Sequence, residues 1–174
     1  MKHPILVVGG AGYIGSHMAK MLVQSGHEVL ILDNLSTGFR EAARYGRLLE
    51  GDLADTALLE QIFGETPIAA VMHFAALSQV GESMREPARY YRNNVANTQN
   101  LLETMRRHNV RRFIFSSTAA LFGEPEYTPI DEQHPQRPIN PYGRSKRMVE
   151  EMLADYDRAY GLRFVSLRYF NAAG

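Results

Sequence analysis

The stretch Gly9-Gly10-Ala11-Gly12-Tyr13-Ile14-Gly15 constrains the fold of this chain more than any other segment. It follows Ile5-Leu6-Val7-Val8, a run apolar on both faces that reads as a fully buried strand. It opens Ile14 to Leu22, where apolar residues recur at helical spacing until Gly26 provides a stop. Gly9 permits a tight turn out of the strand, Gly12 lets a pyrophosphate approach the backbone, and Gly15 lets the helix pack closely on the sheet. The helix N-terminus then offers its amides to a diphosphate. A glycine fingerprint by itself is a weak signal. A buried strand before it, a helix after it and an acid closing the next strand make it specific. That acid is Asp33, 18 residues beyond Gly15, at the end of the buried strand Val29 to Leu32. A carboxylate there accepts hydrogen bonds from ribose hydroxyls and repels a 2′-phosphate, which favours NAD over NADP. Its alternative is a solvated acid capping the turn at Ser36-Thr37-Gly38.

The remainder alternates strand and helix. Leu48-Leu49 predict a short third strand before Gly51-Asp52, Thr56 to Phe63 a helix, Ala69 to Met72 a fourth strand closing on His73-Phe74-Ala75-Ala76, and Tyr90 to Arg107 a long helix. Arg112 to Ser116 predict a fifth strand, Glu124 to Pro141 a long loop rich in proline and polar residues, Tyr142 to Tyr160 a second long helix, and Phe164 to Leu167 a sixth strand. Buried parallel strands joined by right-handed helical crossovers give an α/β fold, a doubly wound, Rossmann-type sheet in the order 3-2-1-4-5-6. Its 174 residues suit one domain with a real core.

Composition removes several functions. With 19 basic and 19 acidic residues the formal net charge is zero, which gives neither a nucleic-acid footprint nor a polybasic membrane anchor. There is no cysteine, so disulfides, thiolate catalysis and cysteine-ligated zinc are excluded, in keeping with a reducing cytosol. The apolar run near the N-terminus is too short for a signal peptide or a membrane span. The six histidines show no metal-ligand spacing, and no metal is expected. His73 is expected to pack at its strand end beside the cofactor.

Chemistry concentrates at the predicted carboxyl ends of the strands, where such folds bind ligands: Ala75-Ala76, Ser116-Ser117-Thr118 and Asn171. Asn-Pro-Tyr-Gly-Arg-Ser-Lys places Tyr142 and Lys146 four apart, on one face of a helix that Pro141 opens. A phenol with a reference pKa near ~10 is a poor base, but a neighbouring ammonium favours the phenolate. Thr118 offers a hydroxyl that orients a substrate hydroxyl and shuttles its proton. Ser116 and Ser117 are alternatives for that role, read first as backbone-capping groups at the strand end. Lys146 can also bind the nicotinamide ribose. Asp52 either hydrogen-bonds the adenine amino group or caps a turn. Asn94 either holds the backbone around the nicotinamide site or lies on the surface. The two long helices, near 90–107 and 142–160, offer a homodimer through a four-helix bundle.

Taken together, Gly-Gly-Ala-Gly-Tyr-Ile-Gly, Asp33 to Ser36, Gly51 to Leu53, His73 to Ala76, Val80 to Ser83, Tyr91 to Val95, Phe115 to Thr118, Pro141 to Lys146 and Arg168 to Asn171 resemble the extended short-chain dehydrogenase/reductase family, and within it the nucleotide-sugar 4-epimerase branch. The resemblance covers essentially the whole chain. It implies NAD as cofactor, a UDP-hexose as substrate, and Thr118, Tyr142 and Lys146 as catalytic residues. It places Tyr13, Ile14, Asn34, Leu53, Phe74 and Tyr169 at the cofactor, beside Gly9, Gly12, Gly15, Asp33, Asp52, Ala75, Ala76, Asn94 and Ser116. Asn171 and the loop from Ser78 to Ser83 are expected to face the nucleotide sugar. Nucleotide-sugar 4,6-dehydratases carry Asp-Glu after the threonine and the UDP-glucuronate decarboxylases usually carry a glutamate there. Ala119 and Ala120 stand here instead, which leaves hydride shuttling as the expected chemistry. Ser78 stands where some epimerases have lysine, and Phe122 replaces a common tyrosine. Residues 1–174 are expected to be the cofactor domain of a longer protein whose C-terminal part supplies most uridine contacts. The competing readings are another nucleotide-sugar enzyme of the family, a 3β-hydroxysteroid-type dehydrogenase, and a non-catalytic NAD-binding module.

Overall fold

The computed structural model describes residues 3–173. Strands β1 (Ile5–Val8), β2 (Val29–Asp33), β3 (Arg47–Glu50), β4 (Ala70–His73), β5 (Arg112–Ser116) and β6 (Arg163–Leu167) form one sheet in the order β3-β2-β1-β4-β5-β6, all pairs parallel. This is the expected order. The helices are α1 (Tyr13–Gln24), α2 (Thr56–Glu65), α3 (Val80–Arg85), α4 (Pro87–Tyr91), α5 (Asn97–Arg107) and α6 (Pro141–Tyr160).

Period-two alternation divides the strand side chains between two cores. Leu6, Val8, Leu30 and Leu32 meet Leu59 and Phe63 of α2, Leu101 and Met105 of α5, and Val149 and Leu153 of α6 on one face. Val7, Val29 and Ile31 meet Ala19 of α1 and Ala43 on the other. Because both faces are covered, the central strands read as unbroken apolar runs. Each such side chain contributes about 1.5–3 kcal/mol when buried, so β1 and β2 anchor the fold.

Register brings the strand ends level. Val8 pairs with Leu32 on one side and with His73 on the other. The order reverses between β1 and β4, so the chain leaves both strands at the topological switch point, where doubly wound sheets open a crevice. α6 starts where Asn140 caps it, its Oδ1 accepting from Gly143 N at 2.8 Å, and ends at Gly161 with φ of 69°. Proline at the first helical position is preorganised for that start.

Two features depart from the expected elements, and a third, the expected loop, is more firmly held than its composition implies. The helix expected from Tyr90 begins at Pro87 and carries a π-helical turn over Arg92–Ala96 before α5. α3 and the 3-10 turns at Arg40–Tyr45 and Ala119–Leu121 are too short to build a readable apolar period. The segment 124–140 has no helix or strand, as expected, but it is fastened: buried His134 accepts from Glu126 N at 3.0 Å through Nε2, and its ring packs on Phe122 and Tyr127. Among the described residues, no helix is long and apolar enough to cross a membrane.

Candidate active site

A cleft of about 370 Å³ lies over the carboxyl ends of β1, β2, β4 and β5. One part is made of backbone. Gly9 turns at φ of 80°, and a Cβ on it would stand 2.4 Å from Ala75 N. A Cβ on Gly15 would stand 2.1 Å from Gly9 O, so α1 packs against the turn with no room for a side chain. At Gly12 the nearest atom to such a Cβ is Gly9 O at 3.4 Å, which leaves the cleft side open. Gly12 is the N-cap of α1, and no side chain caps that helix end. An open helix N-terminus beneath a glycine turn fits a diphosphate.

Asp33 ties this turn to β2. Its carboxylate accepts from Ala11 N and from Leu35 N, each at 2.9 Å. Asp52 accepts from Ala54 N at 2.8 Å, as a turn-capping acid does, and also from Asn34 Nδ2 at 2.5 Å and Asn97 Nδ2 at 3.4 Å. Its carboxylate therefore joins three segments at the cleft wall.

The other part is made of side chains. Tyr142, in the first turn of α6, is half-buried, and its phenol faces the Thr118 hydroxyl. Burial pushes the phenol above the ordinary value, and the Thr118 hydroxyl pulls it the other way. Thr118 also accepts from Ala120 N at 3.1 Å. One turn along α6, Lys146 is 3 % exposed; its Nζ donates to Ser116 O at 2.8 Å and lies 4.7 Å from the Phe115 ring centroid. Burial pulls the ammonium down to about 7. In this geometry burial, and not the neighbouring cation, dominates the phenol of Tyr142.

Of the residues singled out in the sequence, Gly9, Gly12, Tyr13, Ile14, Gly15, Asp33, Asn34, Asp52, Leu53, Phe74, Ala75, Ala76, Ser78, Ser116, Thr118, Tyr142, Lys146 and Tyr169 all line this one cleft. Two do not. Asn94 is 2 % exposed and lies behind the wall, where its amide accepts from Leu77 N and donates to Leu77 O, each at 2.9 Å, and donates to Ser145 Oγ at 3.1 Å. It holds backbone, as one of its two readings had it, while its neighbour Asn93 faces the cleft. Asn171 is exposed, whereas Phe170 and Ala172 line the cleft. His73 is buried beneath the cleft floor rather than lining it: Nε2 donates to Thr98 Oγ1 at 2.9 Å, Nδ1 has no partner, and burial pulls its pKa to about 3. Ser117 does not cap backbone; its hydroxyl donates to Glu150 Oε1 at 2.5 Å.

Asn93 and Asn97 are cleft residues that the sequence reading missed, although their four-residue spacing puts both on one helix face. Ser36, Thr37 and Gly38, read as a simple turn, also line it. Among the described residues no cluster of histidine and carboxylate groups could hold a metal.

A family model described as the NAD dependent epimerase/dehydratase family matches residues 5–174. The chain is 51% identical over 170 residues to the UDP-glucose 4-epimerase of Rhizobium leguminosarum bv. trifolii, covering 98% of this chain and 52% of the relative. It is 52% identical over 173 residues to the UDP-glucose 4-epimerase of Streptococcus mutans, with the same coverage of 98% and 52%. The crystal structure of the UDP-glucose 4-epimerase of Brucella ovis in complex with NAD superposes with a TM-score of 0.97 at 53% identity, covering 99% of this chain and 53% of that one. The chain thus spans about half the length of the curated relatives it matches.

Proposed function

We propose that this chain, which belongs to the NAD dependent epimerase/dehydratase family, is the cofactor-holding half of an NAD-dependent 4-epimerase that interconverts UDP-glucose and UDP-galactose. The observation that carries this reading is the pairing of the Tyr142 phenol with the Thr118 hydroxyl, with Lys146 one turn along α6, in the same cleft as a glycine turn shaped for a diphosphate. A cleft that only stored a dinucleotide would have no use for a phenol and hydroxyl set face to face.

The residues fit NAD. The Gly12 side of the turn is open, the end of α1 is uncapped, and Asp33 puts a carboxylate where a ribose diol is read and a 2′-phosphate repelled. When bound, NAD supplies a hydride acceptor and a cationic ring whose charge favours a nearby phenolate. Tyr142 then takes the proton of the sugar C4 hydroxyl, Thr118 orients that hydroxyl and relays its proton, and Tyr142 gives the proton back when the hydride returns to the opposite face of C4. Lys146 binds the nicotinamide ribose and lends its charge to the site. Ser78 lies on the cleft wall where the sugar would turn. Ala119 and Ala120 follow Thr118 in a 3-10 turn and carry no acid, so this turn lacks the pair with which a 4,6-dehydratase takes the C5 proton and protonates the leaving C6 hydroxyl.

The reading extends to a homodimer through the helices near 90–107 and 142–160, where Met148 is 46% exposed on α6, and to a cytoplasmic setting, which the absence of cysteine favours. It contains neither a membrane nor a nucleic-acid partner. The chain's span of half its relatives' length favours a second reading for these residues taken alone, an NAD-binding module without turnover.

The test is to incubate a protein carrying this chain with UDP-galactose and, separately, UDP-glucose, following both the sugar product and reduced nicotinamide. Interconversion without net NADH is the expected result. Stoichiometric NADH release would make it a dehydrogenase. NAD binding with no product would leave the module alone.

A further inference from the structure

The geometry points to Glu150 and Arg168 as positioning residues: together they fix Ser117, and through it hold Thr118 within reach of Tyr142. The inference rests on the reading of this cleft as an epimerase site.

Glu150 lies four residues beyond Lys146 and eight beyond Tyr142, on the same face of α6. Its side chain is 10% exposed and that of Arg168 18%. The guanidinium grips the carboxylate with two nitrogens, Nη2 at 2.7 Å from Oε2 and Nε at 3.2 Å from Oε1. Its third nitrogen, Nη1, donates to Glu132 Oε2 at 2.9 Å, and its Cζ lies 5.5 Å from the Phe122 ring centroid. A bidentate, half-dry pair of this kind has one geometry, unlike a surface ion pair. The free lone pairs of Glu150 Oε1 receive the Ser117 hydroxyl at 2.5 Å.

The backbone completes the clamp. Ser117 N donates to Leu167 O at 2.9 Å and Ala119 N donates to Tyr169 O at 2.7 Å. The two acceptors flank Arg168, and the two donors flank Thr118. Thr118 itself is extended, with φ of −156° and ψ of 150°. In an extended segment neighbouring side chains point to opposite sides, so holding Ser117 toward Glu150 turns Thr118 toward Tyr142. Glu150 touches no reacting atom; it acts through Ser117.

Misplacing a proton-relaying hydroxyl slows the chemical step and leaves binding alone. In the intact enzyme Glu150→Ala should therefore lower kcat about tenfold to hundredfold, with KM for UDP-galactose and the affinity for NAD each changed less than about threefold. Glu150→Gln, which keeps an acceptor oxygen for Ser117, should recover most of that loss. Ser117→Ala, which removes only a hydroxyl and should fold, should reproduce it, and the double variant should be no slower than the worse single one. Rates are taken per NAD-binding site, so a fold defect cannot imitate the effect. A crystal structure of Glu150→Ala should show the Thr118 hydroxyl turned away from the Tyr142 phenol. Unchanged kcat in both Glu150→Ala and Ser117→Ala, or a Thr118 hydroxyl still facing Tyr142 in that crystal structure, overturns the inference. A parent protein that binds NAD but converts no UDP-hexose defeats the epimerase reading instead, and the crystal structure then decides this one.

Discussion

The two parts of the cleft are built from different materials. At the glycine turn the site is backbone, packed so closely that Gly9 and Gly15 have no space for a methyl group. At the Thr118–Tyr142–Lys146 end it is side chains, held by one another or by carbonyls: Ser117 by Glu150, Glu150 by Arg168, and Lys146 by a carbonyl and an aromatic face, with Tyr142 facing Thr118. Steric construction is indifferent to charge and pH but forgives no added atom. Side-chain construction tolerates changes of shape but depends on which proton is where. The first kind suits a group that stays bound, and the second a reaction that must move a proton out and back.

The sharpest way to break this comparison is to add a single carbon to the turn. Gly15→Ala puts a Cβ 2.1 Å from Gly9 O, and that carbonyl belongs to a turn pinned between β1 and Ala75. Overpacking backbone against backbone should cost about 3 kcal/mol or more and abolish the rise in melting temperature that NAD gives the parent. Gly12→Ala is the control, since its Cβ meets nothing nearer than 3.4 Å. It should stay within about 1 kcal/mol of the parent in stability and lose only NAD affinity. Thermal melts with and without NAD separate the two, and a Gly15→Ala protein that melts and binds like the parent would mean the turn is not sterically closed.

The other part yields to a substitution that leaves shape intact. Tyr142→Phe removes one oxygen from a half-buried ring. Turnover of UDP-galactose should fall by about 10² to 10⁴, while NAD affinity stays within a few-fold. Retained turnover would remove Tyr142 as the base, whereas lost NAD binding would show that the two parts of the cleft are not independent.

These two kinds of construction were unequally legible in the sequence. The glycine turn, the strand order and the Tyr142–Lys146 pair depend on short spacings, and short spacings survive translation into structure. Asn94 holds backbone, as one of its two readings had it, while Asn93 beside it lines the cleft, and nothing in that stretch announces Asn93. Asn171 is exposed between two cleft residues, Phe170 and Ala172, in a segment beyond β6 with no periodicity to set its facing. The Glu150 network was invisible for a different reason: its partners lie 18, 33 and 36 positions apart in the chain. No periodicity joins them; only the return of β6 alongside β5 does. His134, in the segment read as a long loop rich in proline and polar residues, is likewise not legible as buried, because its contacts reach Glu126 and Phe122 across turns that carry no repeat.

Lys146 supplies the smallest effect, and it tests the cost of the side-chain part. Its ammonium is buried and its pKa is pulled to about 7, against about 10.4 for an exposed lysine. Between those values the unfolded chain binds more protons than the folded one, so stability rises with pH. Below the lower value both states are protonated and the full burial penalty, on the order of a few kcal/mol, weighs on the fold. Lys146→Met removes the charge but keeps most of the volume. In the absence of NAD it should melt higher than the parent at pH 6, after allowance for the bond lost to Ser116 O, and the gap should close as the pH is raised toward 10. With NAD present the order should reverse, because the variant has lost its grip on the ribose. A parent whose melting temperature ran parallel to that of Lys146→Met from pH 6 to 10 would show that Lys146 titrates normally. The side-chain part of the cleft would then be as cheap to fold as the glycine turn, and its buried cation would need a different reason for being there.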